Sequence, residues 1–207
     1  MFSVKKVLIL VPHLDDGELG CGGTIAKFIE EGKSVHHVAF SIPSRVSPNI
    51  IKIENKKARE FLGIRDENFV LSNYKVRNFP SHRQEILEDM IKLRKDINPD
   101  IVFLPSLQDL HQDHKIIAEE GLRAFKYTTI LGWEQPWNHI AYSTSCFIML
   151  NSGQIEKKIK AIRCYESQMN DRIYFSDEFL RGFARTRGGQ INVEYAEAFE
   201  VIRWLVR

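Results

Sequence analysis

His13, Asp15 and Asp16 follow almost directly after a run of five apolar residues, Val7 to Val11, and precede a helix-like segment. A second polar cluster, His111-Gln112-Asp113-His114, occurs about a hundred residues later. Imidazole and carboxylate groups are the side chains that bind transition metals and transfer protons near neutral pH. The two clusters are therefore the places where this chain has the residue types for catalysis.

The spacing within the clusters predicts a single metal site. Residues three apart in a helical first turn lie on one side, so His13 and Asp16 can bind one ion, with His114 as the third ligand. Two imidazoles and a carboxylate with one open position are typical of catalytic zinc. Asp15 points elsewhere and is predicted to act as a base on a water molecule. His111 is predicted to face the substrate from the same turn as His114.

Simpler interpretations of these residues remain open when each cluster is taken alone. Asp15 and Asp16 are suited to cap the helix that follows, and Asp113 is suited to cap the helix near Ile116. His111 and His114 can be loop residues on the surface. The metal hypothesis is favoured only because both clusters are predicted to meet, and Asp113 can both cap a helix and orient a histidine ring.

The elements that must position the clusters alternate between strands and helices. The predicted strands are Val7–Val11, Val35–Ile42, Asn68–Ser72, Asp100–Leu104 and His139–Leu150. The first predicted helix follows the first strand, and the second covers Lys52–Leu62 before Gly63. The third begins at a Ser81–Gln84 capping box and reaches Ile97. The others cover Ile116–Phe125, Ile155–Met169 and Asp177–Ala184. This alternation predicts an α/β fold, a Rossmann-like three-layer sandwich with a mostly parallel central sheet.

A doubly wound strand order of 3-2-1-4 would bring the two clusters together. Strands 1 and 4 are then neighbours, and ligands of such sheets bind beyond the carboxyl ends of the strands at this point. The chain shows no linker, repeat or low-complexity segment, so residues 1–207 are predicted to form one domain. The glycine-rich start of the first helix, Gly20-Cys21-Gly22-Gly23, lacks the third glycine and the acidic residue of a dinucleotide site and is predicted to allow close packing.

Composition excludes several other functions. The net charge is only +2, which gives no electrostatic reason to expect nucleic acid or membrane binding. The hydrophobic fraction, 43% of residues, is ordinary for a globular protein. The apolar run near the N-terminus is too short for a signal peptide, and no stretch is long enough for a membrane span. Three widely spread cysteines predict reduced thiols and a cytoplasmic protein.

The motifs resemble those of the PIG-L/LmbE family of zinc-dependent N-acetylglucosaminyl deacetylases. The family's His-Pro-Asp-Asp motif corresponds to residues 13–16 and its His-x-Asp-His motif to residues 111–114, and the segments Arg59–Gly63 and Gly189–Phe199 are also similar. The usual prolines are Leu14 and Gln112 here, which concerns the local backbone and not the ligands. The resemblance thus covers nearly the whole chain.

The resemblance implies a role for each residue of the two motifs. His13, Asp16 and His114 would bind one zinc ion, although another divalent transition metal is also open, and Asp15 would be the general base. His111, oriented by Asp113, would either stabilise an oxyanion, with its own ring protonated, or protonate the leaving amine. Only the resemblance, and not the spacing, implies an acetylated amino sugar as substrate.

Three residues are weaker candidates for substrate contacts, namely Arg45, His139 and Tyr195. A stripe of phenylalanines, Phe175, Phe179 and Phe183, is compatible with core packing or a subunit interface, so a homo-oligomer is left open. Other hypotheses are a metal-dependent amidase for a non-sugar amide, a metallophosphoesterase with two ions, and a non-catalytic binding module. The visible ligands form a single set, which disfavours the phosphoesterase, and an intact Asp15 disfavours the binding module.

Overall fold

The computed structural model describes residues 4–43, 46–169 and 172–206. Its strands are β1 Lys6–His13, β2 Ser34–Ser41, β3 Phe69–Tyr74, β4 Ile101–Pro105, β5 Thr129–Trp133, β6 Cys146–Leu150 and β7 Tyr195–Arg203. Its α-helices are α1 Asp16–Glu30, α2 Pro48–Leu62, α3 Arg83–Ile97, α4 Gln112–Ala124, α5 Ser152–Arg163 and α6 Asp177–Gly189. In the described residues, no helix is long and apolar enough to cross a membrane.

The seven strands form one sheet in the order β3-β2-β1-β4-β5-β7-β6. The first five strands in this order are parallel, and β7 pairs antiparallel with both β5 and β6. The predicted α/β fold with a mostly parallel sheet is therefore confirmed, as is the predicted order 3-2-1-4.

Side chains of β1 alternate between two hydrophobic cores, one on each face of the sheet. Val7, Ile9 and Val11 pack with residues of α1, α2, α5 and α6, whereas Leu8 and Leu10 pack with residues of α3 and α4. All five side chains are completely buried. Because both faces are covered, a continuous apolar run is the pattern expected of this strand, and three layers result.

Helix α1 contains a break that a buried ion pair compensates. Cys21 has non-helical backbone angles, so the amides that follow lack their usual helical partners. The Glu197 carboxylate accepts hydrogen bonds from the N–H groups of Gly23 and Thr24 at 3.0 and 2.7 Å. The Nζ atom of Lys158 lies 2.6 Å from Glu197. The helix start is thereby held under the site.

Two glycines are needed where they occur. A Cβ atom at position 20 would lie 2.7 Å from the Trp133 ring, which confirms the close packing expected of the glycine-rich helix start. Gly63 has φ +85° and ends α2, as the sequence predicted.

Several sequence-based assignments of elements differ from the structure. The segment predicted as one long strand, His139–Leu150, is a loop up to residue 145 and a strand only from Cys146. The Tyr142 hydroxyl holds this loop, because it donates to the carbonyl oxygens of Gly132 and Ala198 at 2.8 and 3.0 Å. These partners come from two other strands, so a local pattern could not indicate them.

The predicted capping box at Ser81 does not form. Helix α3 begins at Arg83, and the Ser81 hydroxyl donates instead to Asn78 Oδ1 at 3.2 Å. The strands β5 and β7 were not predicted. Strand β5 is short and contains Gly132, a residue that weakens strand patterns. Here the glycine permits a close approach, because a Cβ atom would lie 2.9 Å from Ser106 Cα.

The buried His37 on β2 makes stability depend on pH. Its ring is fully buried, neither nitrogen has a hydrogen-bond partner in the described structure, and burial followed by the nearby Arg59 charge lowers its pKa to about 3. The unfolded chain binds a proton near pH 6.5, so the free energy of unfolding falls as pH drops from 6.5 toward 3. Between pH 7.5 and pH 5 this single group removes about 2 kcal/mol.

We expect His37→Leu to lose about 2 kcal/mol less than the wild type between these pH values, because leucine cannot titrate. Urea unfolding at both pH values measures the difference. His82→Leu is the matched control, because it replaces a histidine whose side chain is 38% exposed. Equal pH dependence in wild type and His37→Leu would contradict the role of this ring.

Candidate active site

The two polar clusters meet at the carboxyl ends of β1 and β4. His13 is the last residue of β1, and His111 is the N-cap of α4, which follows β4 after a loop. The ring centroid of His13 lies 5.1 Å from that of His111 and 5.3 Å from that of His114. The predicted convergence of the clusters is confirmed, and its cause is the direct pairing of β1 with β4.

Asp16 lies between two imidazoles. Its Oδ2 atom is 2.9 Å from His13 Nδ1 and 3.3 Å from His114 Nε2. Ligand atoms bound tetrahedrally at about 2.0–2.1 Å from zinc are about 3.3 Å apart. Both distances from Asp16 Oδ2 are close to this value, so the three side chains could hold a single small cation, and all three residues are buried.

The remaining ring nitrogens of both histidines contact carboxylates. His114 Nδ1 lies 2.7 Å from Asp109 Oδ2, and His13 Nε2 lies 3.2 Å from Asp113 Oδ2. Such carboxylate–histidine contacts fix the tautomer and orientation of a metal-binding ring. On the other side of the cluster, Gln135 Nε2 donates to the second oxygen of Asp16 at 2.9 Å.

The electrostatics of the cluster favour a cation. Burial alone would lower the pKa of His13 and His114, but the Asp16 charge, together with hydrogen bonds to Asp113, Asp109 and Asp16, raises it to about 9 and 10. Burial alone would raise the pKa of Asp16, but the charges of the two histidines hold it well below its usual range. The cluster thus attracts positive charge, and a metal ion could take the place of the protons on these rings.

His111 is held by backbone groups. Its Nδ1 atom accepts a hydrogen bond from the backbone N–H of Asp113 at 3.2 Å, and the backbone N–H of His111 donates to Asp109 Oδ1 at 2.9 Å. Burial, and then the nearby His114 and His13 charges, lower its pKa to about 4. This shift favours a neutral ring, whereas a protonated ring was expected from the sequence, and because Nδ1 accepts from the Asp113 N–H a neutral ring carries its proton on Nε2.

The carboxylate of Asp113 does not contact His111 as expected. It binds His13, as described above, and accepts backbone hydrogen bonds from Arg77 and Phe79 at 2.6 and 3.3 Å. Asp113 orients His111 only through its backbone N–H. One nitrogen each of His13, His111 and His114 also lie within 4.8 Å of one another, so the three imidazoles form a second set of side chains that could hold an ion.

Asp15 is available for proton transfer. It occupies the N-cap position of α1, but its side chain makes no capping hydrogen bond, so the simple capping interpretation does not apply. The side chain lines a cavity of about 400 Å³ together with His111, and Arg172 Nη1 lies 3.8 Å from Asp15 Oδ2. Burial, and then the Asp16 charge, raise the pKa of Asp15 to about 6.

Three residues of this site escaped the sequence analysis, namely Asp109, Gln135 and Arg172. Asp109 lies two residues before His111 in the loop after β4, and this proximity was a usable signal. Gln135 and Arg172 lie in loops without a motif, and only the tertiary structure brings them to Asp16 and Asp15.

The weaker candidates for substrate contacts have different outcomes. Arg45 lies outside the described residues. His139 does not line the cavity, and its Nδ1 atom lies 2.7 Å from the Gln135 carbonyl oxygen. Tyr195 is 5% exposed and belongs to the hydrophobic core, where it pairs with Leu150 between β7 and β6. The structure thus does not bring His139 or Tyr195 to the site.

A cluster of this kind could hold a metal ion at the carboxyl ends of the strands, and comparison with known proteins identifies the family. A family model described as GlcNAc-PI de-N-acetylase, PIG-L, matches residues 8–125 and includes both motifs. The chain belongs to the PIG-L family, and the predicted resemblance is confirmed.

Individual relatives agree with the family assignment. The chain is 25% identical to a diacetylchitobiose deacetylase of Thermococcus kodakarensis, over 97% of this chain and 84% of the relative. The structure of N,N'-diacetylchitobiose deacetylase from Pyrococcus horikoshii in complex with its inhibitor MPG is similar with a TM-score of 0.79, at 25% identity and the same coverage. The protein is therefore an enzyme of the deacetylase type.

The fold is shared with a protein of a different activity. The 4-carboxy-2-hydroxymuconate hydratase GalB from Pseudomonas putida has a TM-score of 0.77 at 19% identity, with 98% of each chain covered. This likeness concerns the fold alone. The activity must therefore be argued from the site residues and not from the fold.

Proposed function

We propose that the protein is a zinc-dependent hydrolase that removes the N-acetyl group from an N-acetylglucosamine-type amino sugar and releases acetate and a free amine. One ion per chain would be held by His13, Asp16 and His114. The single observation that carries the proposal is the position of Asp16 Oδ2, which lies 2.9 and 3.3 Å from the two imidazole nitrogens, beside Asp15, whose side chain makes no capping hydrogen bond. The three free cysteines are compatible with a cytoplasmic enzyme.

Zinc at this position would lower the pKa of a water molecule and polarise the acetyl carbonyl group. Asp15 would remove a proton from the attacking water, because its carboxylate is the acidic group of the cluster that lines the cavity without binding a ring nitrogen. The same carboxyl group can then deliver this proton to the departing nitrogen, which balances the reaction.

His111 would donate a hydrogen bond to the oxyanion that develops at the acetyl carbonyl oxygen. Its Nδ1 atom already accepts from the Asp113 N–H, so the neutral ring carries its proton on Nε2. A neutral donor that is oriented before the reaction stabilises the developing charge without the cost of rearrangement. Asp109 and Asp113 would position the two metal-binding rings, and Gln135 would position Asp16.

The related hypotheses differ in their substrates and in the number of ions. A metal-dependent amidase would use the same residues on a non-sugar amide. A metallophosphoesterase needs a second ion and a bridging carboxylate, whereas Asp109 and Asp113 are already engaged by histidine rings. These contacts therefore favour one ion over two.

We expect the purified protein to contain about one zinc ion per chain and to release acetate from N-acetylglucosamine derivatives. Elemental analysis measures the metal, and a panel of N-acylated sugars assayed for free amine measures the activity. Removal of the metal with a chelator should abolish amine release, and added zinc should restore it. Two ions per chain with phosphatase activity, or amine release only from non-sugar amides, would contradict the proposal.

A further inference from the structure

Two aromatic rings that the proposed chemistry does not use lie at the same cavity. Trp137 belongs to a short 3₁₀ turn, Pro136–Asn138, and Tyr174 to another, Ile173–Phe175. The two rings are stacked, with centroids 3.8 Å apart and an angle of 14° between their planes. Both line the cavity that contains His13, Asp15 and Asp16.

The position of Trp137 is tied to the catalytic cluster. The residues on either side of the Pro136–Trp137 pair bind cluster carboxylates, because Gln135 donates to Asp16 and Asn138 Nδ2 donates to Asp109 Oδ2 at 3.4 Å. The ring is also supported from α6, where Phe179 lies 6.1 Å away between centroids. The stacked pair is therefore linked through Gln135 and Asn138 to the carboxylates of the site.

The chemistry around this pair suits a sugar ring. Aromatic faces carry partial negative charge and attract the positively polarised C–H groups on the face of a pyranose. The hydroxyl groups at the edge of such a ring need hydrogen-bond partners, and Asn138, Gln168 and Arg172 line the same cavity. An alkyl chain at this place would instead cover these polar groups without satisfying them, which costs free energy.

We propose that Trp137, stacked on Tyr174, is a second sugar subsite that holds the pyranose ring linked to the amino sugar undergoing deacetylation. This inference rests on the proposed function and specifies its substrate class, since the enzyme would act on an amino sugar within a disaccharide or longer oligosaccharide. Trp137 is then a specificity-determining residue that contacts the substrate away from the reacting amide.

The test compares N-acetylglucosamine with N,N'-diacetylchitobiose in two measurements. Calorimetric titration of the inactive Asp15→Asn variant gives the dissociation constants without turnover, and steady-state kinetics of the otherwise wild-type enzyme gives kcat/KM. We expect the disaccharide to bind more tightly and to react faster. Trp137→Ala should weaken disaccharide binding and lower its kcat/KM by about tenfold or more, with little change for the monosaccharide.

Two further variants and one further ligand sharpen the test. Trp137→Phe should keep most of the disaccharide preference, because it retains an aromatic face. Tyr127→Ala is the matched control, since Tyr127 is 65% exposed and precedes β5 at the opposite end of the strands. Octyl N-acetylglucosaminide replaces the second sugar with an alkyl chain and should be unaffected by Trp137→Ala.

The outcomes separate the inference from the proposed function. Sugar binding with a Trp137-dependent disaccharide preference but no amine release would support the subsite and refute the proposed activity. Amine release with equal losses for both sugars in Trp137→Ala, or no losses, would overturn the subsite alone. A loss for the octyl glycoside as large as that for the disaccharide would show an apolar site and overturn it too. Absence of both binding and turnover would overturn both.

Discussion

Asp15→Asn is expected to lower kcat for acetate release by about 10²- to 10⁴-fold while the protein keeps its metal ion. General-base catalysis contributes a factor of this size, and asparagine has a similar shape but cannot accept the proton. The metal should remain because the proposed ligands are His13, Asp16 and His114, and Asp16, not Asp15, contacts the two ring nitrogens. Kinetics with an N-acetylglucosamine substrate and elemental analysis of the same sample measure both quantities.

Arg172→Gln provides a comparison for this variant. It removes the positive charge 3.8 Å from Asp15 but leaves the carboxylate, so its effect on kcat should be much smaller than that of Asp15→Asn. Activity of Asp15→Asn within a few-fold of the wild type would exclude Asp15 as the base. Loss of the metal in this variant would instead make Asp15 a ligand.

His114→Ala is expected to remove the metal and with it all measurable activity. The substitution deletes one of the three proposed ligands, leaves the buried carboxylate of Asp109 without its imidazole partner and leaves Asp16 with His13 alone. Breaking buried ion pairs in this way costs about 3–5 kcal/mol, so the melting temperature should also fall. Elemental analysis, activity and thermal unfolding of the purified variant measure the three effects.

His111→Ala separates the two ligand sets that the geometry allows. If His13, Asp16 and His114 bind the ion, His111→Ala keeps the metal and loses only the contribution of an oxyanion donor, about 10²- to 10³-fold in kcat. If the three imidazoles bind it, His111→Ala loses the metal as His114→Ala does. Because the Asp16–His114 pair remains intact in His111→Ala, this comparison stays informative even where His114→Ala folds poorly.

Much of the fold was predictable because its signals are local. The apolar run of β1 and the left-handed Gly63 at the end of α2 follow from residue types and near neighbours. The loop before β6 and the start of α3 were not predictable from such signals. Hydrogen bonds from Tyr142 to two other strands hold the loop, and α3 begins at Arg83 because the Ser81 hydroxyl donates to Asn78 rather than capping the helix.

The residues proposed to bind the metal could be identified from the sequence alone. Two motifs at the ends of adjacent parallel strands are sufficient to specify that His13, Asp16 and His114 meet, because the sheet determines where each strand ends. The partner of each ring nitrogen was decided only by the tertiary structure. Asp113 contacts His13 and not His111, and Gln135 reaches Asp16 from a loop after β5. Hydrogen bonds act over about 3 Å, so such pairings depend on how distant loops pack and cannot be inferred from spacing along the chain.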